Sequence, residues 1–126
     1  MPGKPIAVQG CTILINEGAI QPPAPLVPVT PPDSNILAGG KPCYFGNLQV
    51  TVPSGTSGPA GTLTASVTVT ITATGTNVKD ATGPAVLMGD KSSGTDTGSF
   101  QAGTVTTSVP LLLVITNAGQ TDVLVG

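Results

Sequence analysis

The chain has 126 residues, enough for one domain, with four lysines, no arginine, no histidine and a formal net charge of −2. That balance excludes the basic stripe that nucleic-acid binding needs, and the missing histidine excludes Ser–His and Cys–His nucleophilic pairs. Only 8% of residues are charged and the mean hydropathy is positive, unlike a highly charged disordered chain, while 17 Gly and 13 Pro make turns frequent.

In chain order, Gly3-Lys4-Pro5 leads to an apolar stub, Ile6-Ala7-Val8, and Gly10. A strand follows over Cys11–Ile15, ended by the turn residues Asn16-Glu17-Gly18. Over 21–33 the prolines 22, 25, 28 and 31 fall every third residue, which is polyproline II spacing. This satisfies PxxP and so the pattern of a segment read by a proline-recognition module, but a stiff extended loop lying against another surface through Leu26, Val27 and Val29 is the simpler expectation. Ser34–Val52 holds Ile36-Leu37, the turn Gly39-Gly40, Lys41-Pro42, the stub Cys43-Tyr44-Phe45, a turn at Gly46, and an alternating strand through Leu48, Val50 and Val52. Residues 53–61 read as a flexible turn. Between 62 and 76, Leu63, Ala65, Val67, Val69, Ile71 and Ala73 alternate with Thr and Ser, the period of a strand with one buried and one hydroxyl face. At about 3.3 Å per residue it runs to roughly 40 Å unless a bend divides it. An ice-binding face requires such a ladder on neighbouring strands, and one strand does not supply it. Next come Asn77–Asp80, Gly83-Pro84, the run Ala85–Met88 and Gly89-Asp90-Lys91. Ser92–Gly98 reads as a polar turn, 104–116 as a strand region, Asn117–Gln120 as a turn, and Asp122–Gly126 as a closing stub.

The apolar residues are mostly Val, Leu, Ile and Ala, threonine is abundant, and the aromatics are Tyr44, Phe45 and Phe100. This predicts an all-β fold of short strands around a thin core. So few charges are unusual for a free monomer and point to a chain that works docked in an assembly. The N-terminal residues lack the apolar run of a signal peptide, and Val109–Ile115 is broken by Pro110 and too short to span a bilayer. Two cysteines without a secretion signal predict cytoplasmic synthesis and reduced thiols.

No chemistry-bearing constellation is present, so no catalytic site, metal or cofactor is expected and the chain does not read as an enzyme. Glu17, Asp33, Asp80, Asp90, Asp96 and Asp122 are scattered and mostly sit beside turn residues. Lys79-Asp80 and Asp90-Lys91 read as solvated turn charges. No glycine stretch has phosphate-loop form. Cys11 and Cys43 fall short of the four ligands of a structural zinc site and read first as small buried hydrophobes; their positions near two of the recurrences described next also leave open a two-thiol metal site completed by Asp, or a disulfide.

Three segments recur: Gly3–Gly10, Gly40–Gly46 and Gly83–Gly89. The second and third place glycines six apart around a proline and an apolar triplet. The first needs one more residue, and the third lacks the lysine and shifts the proline by one. Each reads as a glycine turn, a short buried strand and a second glycine turn (Gly39, Gly40, Lys41, Pro42 and Gly46; Gly83 and Gly89). Three such units predict a small conical body with degenerate internal repeats and pseudo-threefold character across 1–126.

The opening MPGKP, the module NILAGGKPCYFGN, the later PAVLMGD and the closing ITNAGQTDVLVG together resemble PAAR-like proteins. These are the spike-tip proteins of type VI secretion systems, contractile phage tails and related extracellular injection particles. The resemblance implies a β cone whose base sits on the blunt end of a trimeric β-helical spike, one copy per trimer, with the apex outward. It implies a structural role: capping the spike's open strand edges, helping to puncture a target envelope with transient membrane contact, and carrying any effector noncovalently. Such a protein is assembled at the particle tip and delivered outward on contraction. The candidate base residues are Leu26, Val27 and Val29, or the run Leu111–Val114 with Leu111 and Leu112. The chain departs from the family where many members hold a metal near the apex with histidines and a cysteine, because it has no histidine. The alternative is a β-sandwich decoration or fibre module of a phage or cell-surface assembly, which differs in having many copies per particle.

Overall fold

A computed structural model of the chain describes residues 3–125, so the expectations placed on Met1, Pro2 and Gly126 lie outside the described residues. In chain order the strands are β1 (Lys4–Pro5), β2 (Thr12–Ile15), β3 (Asp33–Ala38), β4 (Lys41–Cys43), β5 (Leu48–Val52), β6 (Ser57–Gly58) and β7 (Gly61–Leu63). They continue with β8 (Val67–Ile71), β9 (Gly75–Lys79), β10 (Pro84–Ala85), β11 (Thr97–Ala102), β12 (Val105–Pro110), β13 (Leu113–Asn117) and β14 (Leu124–Val125). The fold is all-β, and the described strands close no barrel.

The larger core is built from three antiparallel sheets: β2 with β13, β5 with β8, and the four-stranded order β12-β11-β7-β6. Side chains alternate across a strand with period two, and here that period sends Ile13 and Ile15, Leu48, Val50 and Val52, Val69 and Ile71, and Leu113 and Ile115 into one interior. Phe100 on β11 is fully buried among them. With so few aromatic rings, this interior is filled by β-branched and leucine side chains, which interdigitate in thin layers.

Two expectations change here. The alternating run of 62–76 is not one strand. A bend over 64–66 divides it, leaving Ala65 exposed. The reason is that β7 pairs with β11 while β8 pairs with β5, so the two halves serve different sheets. The turn expected over Ser92–Gly98 gives way at Thr97 to β11, whose burial of Phe100 outweighs its weak strand-forming Gly98 and Ser99.

The proline-rich segment runs as an extended loop along the edge of β5. Pro28 bridges Val50, the Val29 N–H donates to the Gln49 carbonyl at 2.7 Å, and the Gln49 N–H donates to Thr30 Oγ1 at 3.0 Å. A proline has no N–H to offer, so it suits this outermost position. At the end of β2, Asn16 and Glu17 adopt left-handed backbone with φ of 49° and 59°. Asn16 is held there by the link between β12 and β13: its Nδ2 donates to the Pro110 carbonyl at 3.0 Å, and its Oδ1 accepts the Leu112 N–H at 2.8 Å.

Candidate docking site: three triplets and their hairpins

The three apolar triplets seen in the sequence, Ile6-Ala7-Val8, Cys43-Tyr44-Phe45 and Ala85-Val86-Leu87, meet in space and pair in a cycle. Val8 bridges Cys43, Phe45 bridges Ala85, and Leu87 bridges Ile6, so the last residue of each triplet meets the first of the next. The central residues close a ring of backbone hydrogen bonds: Tyr44 N–H to the Ala7 carbonyl at 3.0 Å, Val86 N–H to Tyr44 at 3.1 Å, and Ala7 N–H to Val86 at 2.7 Å. A second cycle surrounds it. Gln9 donates to the Pro42 carbonyl at 2.9 Å, Gly46 to Pro84 at 2.8 Å, and Met88 to Pro5 at 2.9 Å.

These bonds set the correspondence between the three segments. Pro5, Pro42 and Pro84 occupy equivalent places in the ring, so the proline is not shifted in the third segment as the glycine spacing suggests. Glycine spacing misleads because the turns differ: Cys11 N–H returns to Val8 and Asp90 N–H to Leu87, both at 3.0 Å across Gly10 and Gly89, whereas Gly46 follows its triplet directly.

Each proline strand is paired with one other strand: β4 with β3, β10 with β9, and β1 with β14. The third pair joins the two ends of the chain, Lys4 opposite Val125 and Pro5 opposite Leu124. The hairpin β3–β4 turns through Gly39 and Gly40, both at positive φ (58° and 79°), the backbone of a two-residue hairpin turn that matches strand twist. Lys41 then opens β4, and its Nζ donates to the Gly119 carbonyl at 3.2 Å. Gly46 and Gly83 are needed for close approach: a Cβ on Gly46 lands 2.7 Å from Thr82 Cγ2, and one on Gly83 lands 3.2 Å from the Gly46 Cα.

Alternation along the triplets divides the molecule. The central residues Ala7, Tyr44 and Val86 belong to the large core. The outer residues Ile6 and Val8, Cys43 and Phe45, and Ala85 and Leu87 fill a second, smaller core with Ala38 and Val125. The ring is therefore a floor between the main body and the layer of three strand pairs.

On the outer side of that layer apolar side chains are left uncovered. Leu37, opposite Pro42, is 57% exposed, and Leu124, opposite Pro5, is 54% exposed. Lys79 holds the matching place opposite Pro84. Val78, Val123 and Met88 are exposed in the same layer.

The base residues expected from the sequence separate. Leu26 and Leu111 are buried in the large core, so they pack the interior and the expectation of a surface role for them is corrected. Leu112 is half-buried, and Val27 and Val29 are exposed on the proline-rich segment. Apolar runs near prolines do not reveal depth: Leu26 points inward and its neighbours outward because the segment lies as an outermost strand. Leu37 and Leu124 are missed by the sequence reading because their exposure follows from pairing opposite a proline strand.

Asp90 is also corrected. It is not a solvated turn charge but is buried, and its Oδ2 accepts the Leu87 N–H at 2.8 Å and the Thr74 N–H at 3.1 Å while Oδ1 bonds the Thr74 hydroxyl. It ties the third triplet to the end of the β8 segment. Asp33 and Asp80 do take turn roles, accepting Asn35 N–H at 2.9 Å and Thr82 N–H at 2.7 Å. Desolvation pushes the Asp80 carboxyl up, but hydrogen bonds from Thr82 and Gly83 outweigh it and hold the group below the ordinary range.

Both thiols are free and buried, Cys11 in the large core and Cys43 in the small one. Burial pushes Cys11 up to about 11, and burial, then the Asp33 charge, raises Cys43. Burial, then Cys11, raises Tyr44. Among the described residues no three His, Cys, Asp or Glu side chains converge on a common point, and no helix is long and apolar enough to cross a membrane. Comparison with protein-family models, curated proteins and solved structures gives no match.

Proposed function

We propose that this chain is the structural tip of a contractile injection apparatus, a PAAR-like protein whose hairpin layer seats on the end of a trimeric β-helical spike. The observation that carries the reading is the double cycle of backbone hydrogen bonds joining the three triplets, with one strand pair outside each. A single chain that repeats one contact three times offers a similar face to each of three identical protomers. Leu37 and Leu124 occupy two of the three corresponding outer places, and because each is little more than half exposed, burying the remainder stabilises a complex by about 1–1.5 kcal/mol apiece before the cost of association. The role is mechanical: the hairpin layer covers the spike's unpaired strand ends, and the body beyond the ring forms the leading end. The protein acts without turnover, is assembled at the particle tip and leaves with it on contraction.

The test is co-expression with a trimeric β-helical spike protein from the same source, followed by mass measurement of the purified complex. Three spike chains to one tip chain is expected, with loss of the complex in the double variant Leu37→Asp, Leu124→Asp. A wild-type chain that folds but stays free of the spike refutes the proposal.

A further inference from the structure

We infer that the free chain associates with a second copy of itself through the outer edge of β12, forming an antiparallel pair about a twofold axis at Thr107. The inference rests on the β11–β12 ribbon alone and not on the proposed seat on a spike.

The ribbon turns tightly, with Ala102 opposite Val105 and only Gly103-Thr104 between them, and Gly103 has φ of 61°. In a two-residue hairpin the closing pair is hydrogen-bonded and the pairs then alternate. Val105, Thr107 and Val109 therefore direct their backbone groups at β11, while Thr106 and Ser108 direct theirs away. β12 is the end strand of its sheet and pairs only with β11 among the described strands. From Gln101 to Ser108 every residue is exposed.

Sheet edges are normally blunted by a charge, a proline, a bulge or a cover. Residues 97–109 contain no charged residue and no proline, and the β11–β12 register runs without a shift from Thr97↔Pro110 to Ala102↔Val105; only the last residue of β12 is blunted, where Pro110 lacks an N–H and its carbonyl accepts from Asn16 Nδ2, so the open stretch is 105–109. The opposite edge of the same sheet is treated differently. β6 has two residues, and its Ser57 is already paired with Gln21 by two backbone bonds of 2.7 and 2.9 Å. One edge is closed and one is open.

The open edge is self-complementary, which selects its occupant. A twofold axis through Thr107 sets Thr106 opposite Ser108 of the other copy, so both outward N–H and both outward carbonyl groups on each strand find partners. The side chains then meet as Thr with Ser, Thr with Thr, and Val105 with Val109. Hydroxyl and β-branched pairs of this kind favour cross-strand pairing, and no like charges oppose one another. Val105, 61% exposed in the single chain, is covered by the second copy. Because β6 is capped, pairing stops at two chains instead of propagating as a fibre. The shared edge is short and lies below the area of a permanent dimer, so the association is weak and depends on concentration.

The experiment is sedimentation equilibrium of the full chain from about 10 μM to 1 mM, spanning the millimolar-to-micromolar range expected of a small interface. Wild type is expected to shift from one to two chains across this range. Thr106→Pro removes an outward N–H, and Thr107→Lys sets two like charges directly opposite each other at the axis; each is expected to weaken the association at least about tenfold while near-native far-UV circular dichroism reports an intact fold. Thr107→Lys alters only an exposed side chain and keeps the test informative if the proline variant unfolds. A monomer throughout, or a dimer unaffected in a folded Thr107→Lys variant, overturns the inference. Leu37→Asp with Leu124→Asp is expected to leave the dimer intact, which separates this outcome from failure of spike binding.

Discussion

Removing the buried carboxylate of Asp90 tests whether the third triplet is clasped to the main body as the hydrogen bonds indicate. Asp90→Ala deletes acceptors for the Leu87 N–H, the Thr74 N–H and the Thr74 hydroxyl. Hydrogen bonds to a charged group contribute about 1.5–3 kcal/mol each, and leaving a buried N–H unsatisfied costs about 1–3 kcal/mol. The Leu87 contact is fully buried and is lost in full, whereas the Thr74 contacts are part-buried and are discounted. The expected loss is about 3–5 kcal/mol, a large share of the 5–15 kcal/mol typical of a domain. Asp90→Asn retains one acceptor oxygen and is expected to lose roughly half as much, and Thr74→Val, which removes only the hydroxyl bond, about 1 kcal/mol. Equilibrium urea unfolding gives these differences if the transition is two-state with unchanged slope. Hydrogen exchange adds a local check, since the Leu87 amide should lose protection beyond the global change. A loss below about 1 kcal/mol for Asp90→Ala, with Leu87 still protected, refutes the clasp.

Three further outcomes are expected. Gly61→Ala places a Cβ 2.2 Å from the Gln101 carbonyl oxygen at a φ of +117°, so thermal or urea unfolding should show a loss of about 3 kcal/mol or more, and a change under 1 kcal/mol contradicts the packing of β7 on β11. The Cys11 thiol is raised from 9.0 to about 11 by burial, so as pH rises the unfolded chain releases this proton first. Stability is then complete below about pH 9 and falls by roughly 2 kcal/mol by about pH 11. Cys43 and Tyr44 add to the same slope, and Cys11→Val should flatten it measurably in urea titrations at pH 8 and 10.5. Because β1 and β14 already pair, Lys4 opposite Val125, joining residue 126 directly to residue 1 and opening the chain between Gly39 and Gly40 should give a folded permutant within about 1 kcal/mol of wild type. A permutant without dispersed NMR signals contradicts the account of the ends as one of three strand pairs.

The sequence by itself determined the all-β class, because Val, Ile and Thr at period two, broken by Gly and Pro, suit pleated surfaces and short turns. It also marked the three triplets and the Gly39-Gly40 turn, since those signals are local. Local signals do not specify what a segment meets. The cyclic pairing of the triplets depends on contacts between residues as far apart as Ile6 and Leu87, and only those contacts put Pro5, Pro42 and Pro84 in register and join the chain's two ends as a strand pair. Depth was likewise decided in three dimensions: Leu26 and Leu111 went inward, Leu37 and Leu124 stayed out, and Asp90, which reads as a turn charge, became a buried clasp because the Leu87 and Thr74 amides converge on it. A residue's alternation fixes which neighbours share its face, but whether that face meets water or another sheet depends on where the other strands are placed.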